Sequence, residues 1–288
     1  MWVFLNDQFV PKDEARISVF DHGFLYGDGI YETLRAYAGR IFMLDAHLAR
    51  LRRSAELIAL ENPIAEKDWR PLLREALSRN QLGDAYIRIT LSRGEGEIGL
   101  DPALCPKPTV VIIAKPLPVY PARWFEDGVA LRVVSVRRNL ASALSPQIKS
   151  LNFLNNILAK HEATRLGVFD GIMLNADGHL TECTASNFFF VADGRVCTPA
   201  VSCGILDGIT RNVVLQMARE RGIDVEEGCY RVDRLAQATE SFLTNTTLEI
   251  LPVTQIDGRT IADGRPGRIT TALRETFKRD VPRFLSEF

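Results

Sequence analysis

The stretch Gln147-Ile148-Lys149-Ser150-Leu151 places one lysine among mostly apolar neighbours, just before a segment with helical spacing that runs over 151–166 and ends at Gly167. An apolar setting disfavours the ammonium form of a lysine, so its amine becomes a usable nucleophile. Most lysines of this kind are nevertheless surface residues with buried stems. The stretch therefore raises a covalent-catalysis hypothesis for Lys149 without deciding it.

The sequence around that helix alternates between strands and helices. The predicted elements are strands at 129–136, 171–174, 186–191 and a short one ending at 243, and helices at 151–166, 210–221 and 267–278. Prolines at 116, 118 and 121 come before this half, and each ring fixes φ and keeps its predecessor out of a helix. We therefore expect a linker at 116–121 between a small N-terminal α/β domain (1–115) and a larger C-terminal domain (122–288). The fold class is α+β or α/β, in two domains.

The first 115 residues mix short strands with two amphipathic helices. Residues 2–5 and 8–10 flank Asn6-Asp7 and predict a hairpin, and residues 1–42 as a whole favour short strands and turns. Apolar residues at three- and four-residue spacing predict a helix from about 44 to 58, with Asp45 as its N-cap. A second helix is expected over 68–79, and β-branched residues predict strands at 85–91 and 109–114.

The composition argues against nucleic-acid-binding, membrane-spanning and metal-binding proteins. Lys plus Arg number 35 and Asp plus Glu 36, so the chain lacks the basic excess typical of proteins that bind nucleic acid or anionic membranes. No uncharged apolar run approaches the roughly 18 residues that a membrane span needs. The five cysteines are scattered and the four histidines lack ligand spacing, which predicts free thiols in a reducing cytoplasm and no metal site. We expect a cytoplasmic protein.

Several segments carry polar groups that predict either a ligand site or an ordinary structural role. Residues 206–211 (LDGITR) precede a helix, where free amides and a threonine hydroxyl bind phosphate well, but where an ordinary Asp or Thr N-cap is the commoner use. Residues 244–247 (TNTT) predict an anion site or a turn. Glu182 precedes a buried strand, so it needs a partner such as a protonated pyridine or a salt bridge. Arg50 on the first helix reaches phosphate or solvent.

These signals occur together and in a fixed order. The chain resembles the class IV (fold-type IV) pyridoxal-phosphate (PLP) aminotransferases in six stretches spread over essentially its whole length. They are 24–35 (FLYGDGIYETLR), 47–51 (HLARL), 148–152 (IKSLN), 181–187 (TECTASN), 208–211 (GITR) and 249–253 (EILPV). The resemblance implies a small N-terminal and a larger C-terminal domain with PLP in the cleft, and at least a homodimer.

The resemblance also implies how the cofactor is held. Lys149 matches the lysine that binds PLP as a Schiff base and later moves the proton, and Glu182 matches the carboxylate that keeps the pyridine nitrogen protonated. Arg50 matches the phosphate-binding arginine. The remaining matched cofactor contacts are Leu206 under the ring, the amides of Ile209 and Thr210 with the Thr210 hydroxyl, and Thr246 near the phosphate.

Among aminotransferases, the chain most resembles those of branched-chain L-amino acids, which pass the amino group of Leu, Ile or Val to 2-oxoglutarate. Tyr86-Ile87-Arg88 is similar to the Tyr-x-Arg that meets the acidic side chain of glutamate, and an arginine fork suits a carboxylate. The candidate substrate contacts are Tyr26, Tyr31, Arg35, Tyr86, Arg88, Tyr120 and Thr247.

Three alternatives stay open. The Lys-Ser-Leu-Asn run with Tyr31 resembles D-amino acid aminotransferases, and Leu154 stands where branched-chain enzymes carry a tyrosine. Those D-specific enzymes have an Arg-x-His carboxylate trap after an Arg-Gly turn, and Arg93-Gly94 is followed by no such trap. Aminodeoxychorismate lyases share the fold and the lysine, but carry a threonine pair where this chain has Tyr31-Glu32. A non-catalytic binding protein of the same fold is the third alternative.

Overall fold

The computed structural model describes residues 1–286, apart from the side chain of Glu66. The described chain forms two compact units. Unit 1 consists of residues 1–118, 148–152 and 282–286, and unit 2 consists of Val119–Gln147 and Phe153–Val281. The chain first passes from unit 1 to unit 2 after Pro118, which lies within the predicted linker at 116–121. Two segments that the sequence placed in the C-terminal domain, 148–152 and 282–286, belong instead to unit 1.

Unit 1 is an antiparallel sheet with helices packed on it. Its strands are β1 (Trp2–Leu5), β2 (Gln8–Pro11), β3 (Gly29–Tyr37), β4 (Arg40–Phe42), β5 (Ala85–Ser92), β6 (Thr109–Pro116) and, near the end of the chain, β16 (Leu285–Ser286). Their order among the described residues is β16-β4-β3-β5-β6-β1-β2. The helices are α1 (His22–Tyr26), α2 (Leu44–Leu57) and α3 (Trp69–Arg79).

The core of unit 1 follows from two periodicities. Even-numbered positions of β3, such as Ile30 and Leu34, are fully buried, as strand alternation requires. Leu44, Leu48 and Leu51 form the buried stripe of α2 and join the same apolar cluster. Each fully buried leucine of this kind contributes roughly 1.5–3 kcal/mol relative to an exposed one. The helix stripe and the strand face therefore fix which side of β3 faces α2.

Unit 2 is a mixed sheet with helices. Its elements are α4 (Ala122–Glu126), β7 (Val129–Val133), α5 (Leu154–Arg165), β8 (Asp170–Leu174), β9 (Leu180–Cys183), β10 (Asn187–Ala192), β11 (Arg195–Pro199), α6 (Ile209–Glu220), β12 (Val225–Gly228), β13 (Glu240–Asn245), β14 (Glu249–Ile256), β15 (Arg259–Thr260) and α7 (Arg268–Asp280). The strand order is β12-β11-β10-β13-β14-β7-β8-β9, with β15 paired to β14. No helix among residues 1–286 is long and apolar enough to cross a membrane.

The strand β10 is buried on both faces. Phe188 and Phe190 lie in the main apolar cluster of unit 2, while Phe189 points the other way and stacks on Phe242 with 4.7 Å between ring centres. A strand covered on both faces has a continuous apolar run in place of alternation. The predicted strand at 186–191 is thus confirmed as β10, shifted by one residue.

Three local predictions were wrong. Asp45 is not the N-cap of α2, because the helix already begins at Leu44 and Met43, in a left-handed conformation, occupies the cap. The helix expected to begin at 151 begins at Leu154, since residues 148–152 pair with β3 instead. Residues 29–37 form one nine-residue strand, where the sequence suggested only short strands and turns.

The cysteines are not all free. Cys203 and Cys229 form a disulfide with 6.1 Å between their Cα atoms, whereas Cys105, Cys183 and Cys197 remain thiols. The expectation of five free thiols was therefore wrong for this pair. The two cysteines are 26 residues apart and belong to no sequence motif, so only the packing of β12 beside β11 brings them together.

Candidate active site

Lys149 lies in a short extended segment that pairs with β3 in unit 1. The Tyr31 amide donates to the Lys149 carbonyl at 2.9 Å, and the Leu151 amide donates to the Gly29 carbonyl at the same distance. The half-buried Lys149 side chain places Nζ 3.4 Å from the Tyr31 hydroxyl and 4.5 Å from the centre of its ring. The backbone pairing thus holds the lysine amine against an aromatic side chain.

Arg50 belongs to a buried charge network on the opposite face of β3. Its guanidinium donates to both oxygens of Glu32, at 2.7 and 2.9 Å, and Nδ1 of His47 lies 2.8 Å from the same carboxylate. Although burial opposes it, Arg50 and His47 hold the pKa of Glu32 below its ordinary value. Burial lowers the pKa of His47, against the influence of Glu32. Glu32 is therefore an anion, and it orients the Arg50 guanidinium.

Four predicted substrate contacts share one face of the β3–β5 pair. Arg35 lies directly opposite Tyr86, and on the same face Tyr31 lies four positions before Arg35 while Arg88 lies two positions after Tyr86. The guanidinium carbon of Arg88 lies 3.9 Å from the Tyr31 ring centre, and that of Arg35 lies 4.2 Å from the Tyr37 ring centre. Burial raises the pKa of Tyr31, with Arg88 opposing, so its hydroxyl stays neutral. This face offers two cations and aromatic walls.

Tyr26 occupies a different part of unit 1. It ends α1, its hydroxyl accepts a hydrogen bond from the Gly99 amide at 3.2 Å, and its ring meets His22 edge-on. The side chain is about one-third exposed. Its hydroxyl is therefore engaged with the loop after β5.

Glu182 is the centre of a second buried network, in unit 2. Arg138 donates to its Oε1 at 2.8 Å, Asn187 donates to its Oε2 at 2.9 Å, and the Leu206 amide donates to both oxygens at 3.2 Å. Asn187 also donates to the Leu206 carbonyl at 2.9 Å. Charge-assisted bonds of this kind favour the ionised carboxylate. Glu182 is therefore held as an oriented anion, with Leu206 locked beside it.

The start of α6 has the features of an anion cradle. The first helical hydrogen bond runs from the Asn212 amide to the Gly208 carbonyl, so the amides of Ile209 and Thr210 precede the ladder, and no side chain caps them. The predicted Asp or Thr N-cap is thus absent, and the helix begins at Ile209. A Cβ at position 208 would lie 1.8 Å from Oδ1 of Asn187, so only glycine fits at this position. Open amides at a helix start suit an anion.

Thr246 and Thr247 lie in the turn between β13 and β14. Oδ1 of Asn245 accepts from the amides of Thr247 and Leu248, at 3.0 and 2.7 Å, and so fixes the turn. The Tyr120 hydroxyl donates to the Thr247 hydroxyl at 2.9 Å. The prediction of a turn at residues 244–247 is confirmed, and the anion site stays a prediction because the turn carries threonine hydroxyls. Two predicted substrate contacts, Tyr120 and Thr247, meet there.

Three residues of these networks, Glu32, Arg138 and Asn187, were assigned no role from the sequence alone. Glu32 stands at a core-facing position of β3, where a charged residue among apolar ones signals a buried partner. Arg138 and Asn187 gave no such signal, because their partners are set by the packing of separate segments of unit 2. Thr244, which belongs to the predicted anion segment 244–247, is buried, and its hydroxyl has no partner among residues 1–286.

Comparison with known proteins connects these networks to a family. The sequence profile described as amino-transferase class IV matches residues 29–256. The chain belongs to the class IV aminotransferase family. The match includes Lys149, Arg50 and Glu182, together with the start of α6.

Individual relatives match this chain over nearly its whole length. A Methanocaldococcus jannaschii protein assigned as a branched-chain-amino-acid aminotransferase is 45% identical over 96% of both chains. The D-alanine aminotransferase of Listeria monocytogenes is 34% identical over all of this chain and 98% of its own. The crystal structure of the Escherichia coli branched-chain amino acid aminotransferase superposes with a TM-score of 0.96 at 29% identity, covering 99% and 98% of the two chains.

Class IV aminotransferases use PLP, and the residues of this chain fit that group. The Thr210 hydroxyl is buried without a partner among the described residues, at a helix start whose amides are open. The Thr244 hydroxyl is likewise buried and unpartnered within residues 1–286. Buried hydroxyls without partners are costly, and phosphate oxygens would satisfy them. The donors are therefore of the right chemistry for the cofactor phosphate.

Proposed function

We propose that this chain is a PLP-dependent transaminase that moves the amino group of L-leucine, L-isoleucine or L-valine to 2-oxoglutarate. The observation that carries the substrate assignment is the β3–β5 face, where Tyr31, Arg35, Tyr86 and Arg88 lie together. Tyrosine rings accept an aliphatic side chain, and a guanidinium accepts the second carboxylate of glutamate. The likeness to branched-chain aminotransferases across whole chains supports the same assignment.

The proposed cofactor roles follow the chemistry of each side chain. Lys149 forms the covalent link to PLP, and Glu182 faces the pyridine nitrogen. The phosphate contacts are Arg50, the amides of Ile209 and Thr210 with the Thr210 hydroxyl, and Thr246, while Leu206 supports the ring. Tyr26, Tyr120 and Thr247 join the β3–β5 residues as substrate contacts. PLP, when bound, supplies a conjugated electron sink for the electrons released at the amino acid α-carbon.

The residues of the chain position groups and move protons. The Lys149 amine, once displaced by the substrate amine, would take the proton from the substrate α-carbon and deliver it to C4′ of the cofactor. The neutral Tyr31 hydroxyl, 3.4 Å from Nζ, would steady the amine through this transfer. Glu32 fixes the Arg50 guanidinium so that it needs no reorganisation when it meets phosphate. Arg88 and Arg35 orient the acceptor by its carboxylates.

A D-amino acid aminotransferase is the second candidate. The Tyr31–Lys149 contact and the whole-length likeness to D-alanine aminotransferase favour it. The aminodeoxychorismate lyase alternative and a binding protein without activity remain the other two outcomes. A cytoplasmic location, and participation in amino-acid biosynthesis, go with the proposed reaction.

One panel separates these candidates. The purified protein is assayed with 2-oxoglutarate against L-leucine, L-isoleucine, L-valine, D-alanine and D-glutamate, and with aminodeoxychorismate for pyruvate release. We expect turnover of the three L-amino acids and loss of both turnover and the visible PLP absorbance in Lys149→Ala. Preference for a D-amino acid, or pyruvate release, would replace the substrate assignment. Visible absorbance that persists in the alanine variant would remove Lys149 from its role.

A further inference from the structure

Arg138 is a buried cation in unit 2 that none of the roles above uses. Its side chain is 9% exposed, and its Nη2 donates to Oε1 of Glu182 at 2.8 Å. Its Nη1 donates to Oδ1 of Asn156 at 3.2 Å, and Nδ2 of Asn156 in turn donates to the Thr184 carbonyl at 2.7 Å. Two separate elements, α5 and the end of β9, thus fix where the guanidinium lies.

The ion pair is a poor device for stability alone. Desolvation of two buried charges offsets most of their attraction, and apolar side chains of similar volume often stabilise a core more. Nε of Arg138 is also buried and has no hydrogen-bond partner among residues 1–286, which adds a further cost. Because burial of the Arg138 guanidinium costs free energy, its effect on Glu182 explains its presence better than a contribution to stability does.

A cation beside a buried carboxylate decides where a shared proton goes. Burial without a cation favours the neutral, protonated acid, whereas an adjacent guanidinium favours the anion. When Glu182 faces a pyridine nitrogen, one proton lies between the two groups. A lower proton affinity of the carboxylate leaves that proton on the nitrogen.

We propose that Arg138 is a positioning residue that keeps Glu182 ionised and oriented, so that the proton stays on the pyridine nitrogen of PLP. This inference rests on the proposed cofactor role of Glu182. Asn187 and the Leu206 amide also hold the carboxylate in place, but both are neutral donors. The charge of Arg138 is therefore the part that they cannot replace.

The protonation state of the ring nitrogen is measured directly. The cofactor-free protein is reconstituted with PLP labelled with ¹⁵N in the ring, and the ¹⁵N chemical shift distinguishes pyridinium from neutral pyridine. We expect a pyridinium signal in the wild type and in Arg138→Lys, which keeps the cation. We expect the signal to move to the neutral position in Arg138→Met and Arg138→Gln, with a loss in kcat that the lysine variant partly restores.

Controls separate this effect from a structural one. Arg138→Gln keeps hydrogen-bond donors without the charge, so it serves where the methionine variant does not fold. Arg274, which donates to the Phe125 carbonyl at 3.0 Å, provides a matched arginine, and Arg274→Met should lower stability without moving the ¹⁵N signal. A pyridinium signal in both uncharged Arg138 variants would overturn this inference alone. A neutral nitrogen in the wild type would overturn it together with the proposed role of Glu182. A wild type that binds no PLP would overturn the proposed function and this inference with it.

Discussion

Single hydroxyl groups distinguish a ligand site from ordinary core at the residue scale. Thr210 and Thr198 are both buried threonines of unit 2. The Thr198 hydroxyl donates to the Phe188 carbonyl at 2.8 Å, whereas the Thr210 hydroxyl has no partner within residues 1–286. An unsatisfied buried hydroxyl costs about 1–3 kcal/mol, while a satisfied one contributes about 1 kcal/mol. The two residues should therefore respond in opposite ways to the same substitution.

Thr210→Val should stabilise the cofactor-free protein by about 1 kcal/mol and weaken PLP binding about tenfold, because the hydroxyl is idle until phosphate arrives. Thr198→Val is the matched control and should lose about 1 kcal/mol without a change in PLP affinity. Denaturant unfolding and PLP titration measure the two quantities. Loss of stability in both variants, with PLP affinity intact, would contradict the phosphate role of Thr210.

At the element scale, a covalent bond fixes the segment that leads to α6. Cys203 ends the short helical turn at Val201–Cys203, and Cys229 directly follows β12. Their disulfide closes a loop that contains α6, and Leu206, which donates to Glu182, lies three residues after Cys203. The bond therefore restrains both the helix start and the approach to it.

Removal of this bond should destabilise the protein. The loop spans 26 residues, and the chain-entropy relation gives roughly 3.5 kcal/mol for closing a loop of that length. Cys203→Ala with Cys229→Ala should lower the unfolding free energy by about that amount, and Cys105→Ala, at a free thiol, serves as the control. Thiol titration of the denatured, unreduced protein should find the three thiols of Cys105, Cys183 and Cys197. Detection of all five would show that the disulfide does not form.

At the scale of the whole molecule, each unit exposes apolar side chains that a monomer would leave in water. Val19 and Phe24 of unit 1 are 65% and 68% exposed, and Ile157 and Leu158 on α5 of unit 2 are 57% and 51% exposed. Contiguous exposed apolar surface marks interaction sites, and Ile157 and Leu158 are consecutive on α5. We propose that they are covered in a homodimer, as the family resemblance implies.

Light scattering should accordingly give about twice the 32.2 kDa chain mass. Leu158→Glu should shift the mass toward that of the monomer, since burial of a charge in an interface is costly. Leu57→Glu, at an exposed leucine that ends α2, should leave the mass unchanged. A wild-type protein that runs as a monomer at micromolar concentration would contradict the homodimer.

The sequence alone determined what depends on local order along the chain. The helix over 69–79 follows from its amphipathic spacing, the hairpin of β1 and β2 from the turn residues Asn6-Asp7, and β10 from its continuous apolar run, because each signal depends on residues a few positions apart. The six ordered motifs likewise led to the class IV family, which the profile match at residues 29–256 confirmed.

Only the tertiary structure decided which groups from distant positions meet. The pairing of residues 148–152 with β3, the Arg138–Glu182 ion pair across 44 residues and the Cys203–Cys229 disulfide all join segments with no shared local pattern. Their partners are set by strand order and register, which depend on how whole apolar faces pack. Lys149 was identified by its sequence neighbours, but its contact with Tyr31 exists because residues 148–152 pair with the first residues of β3.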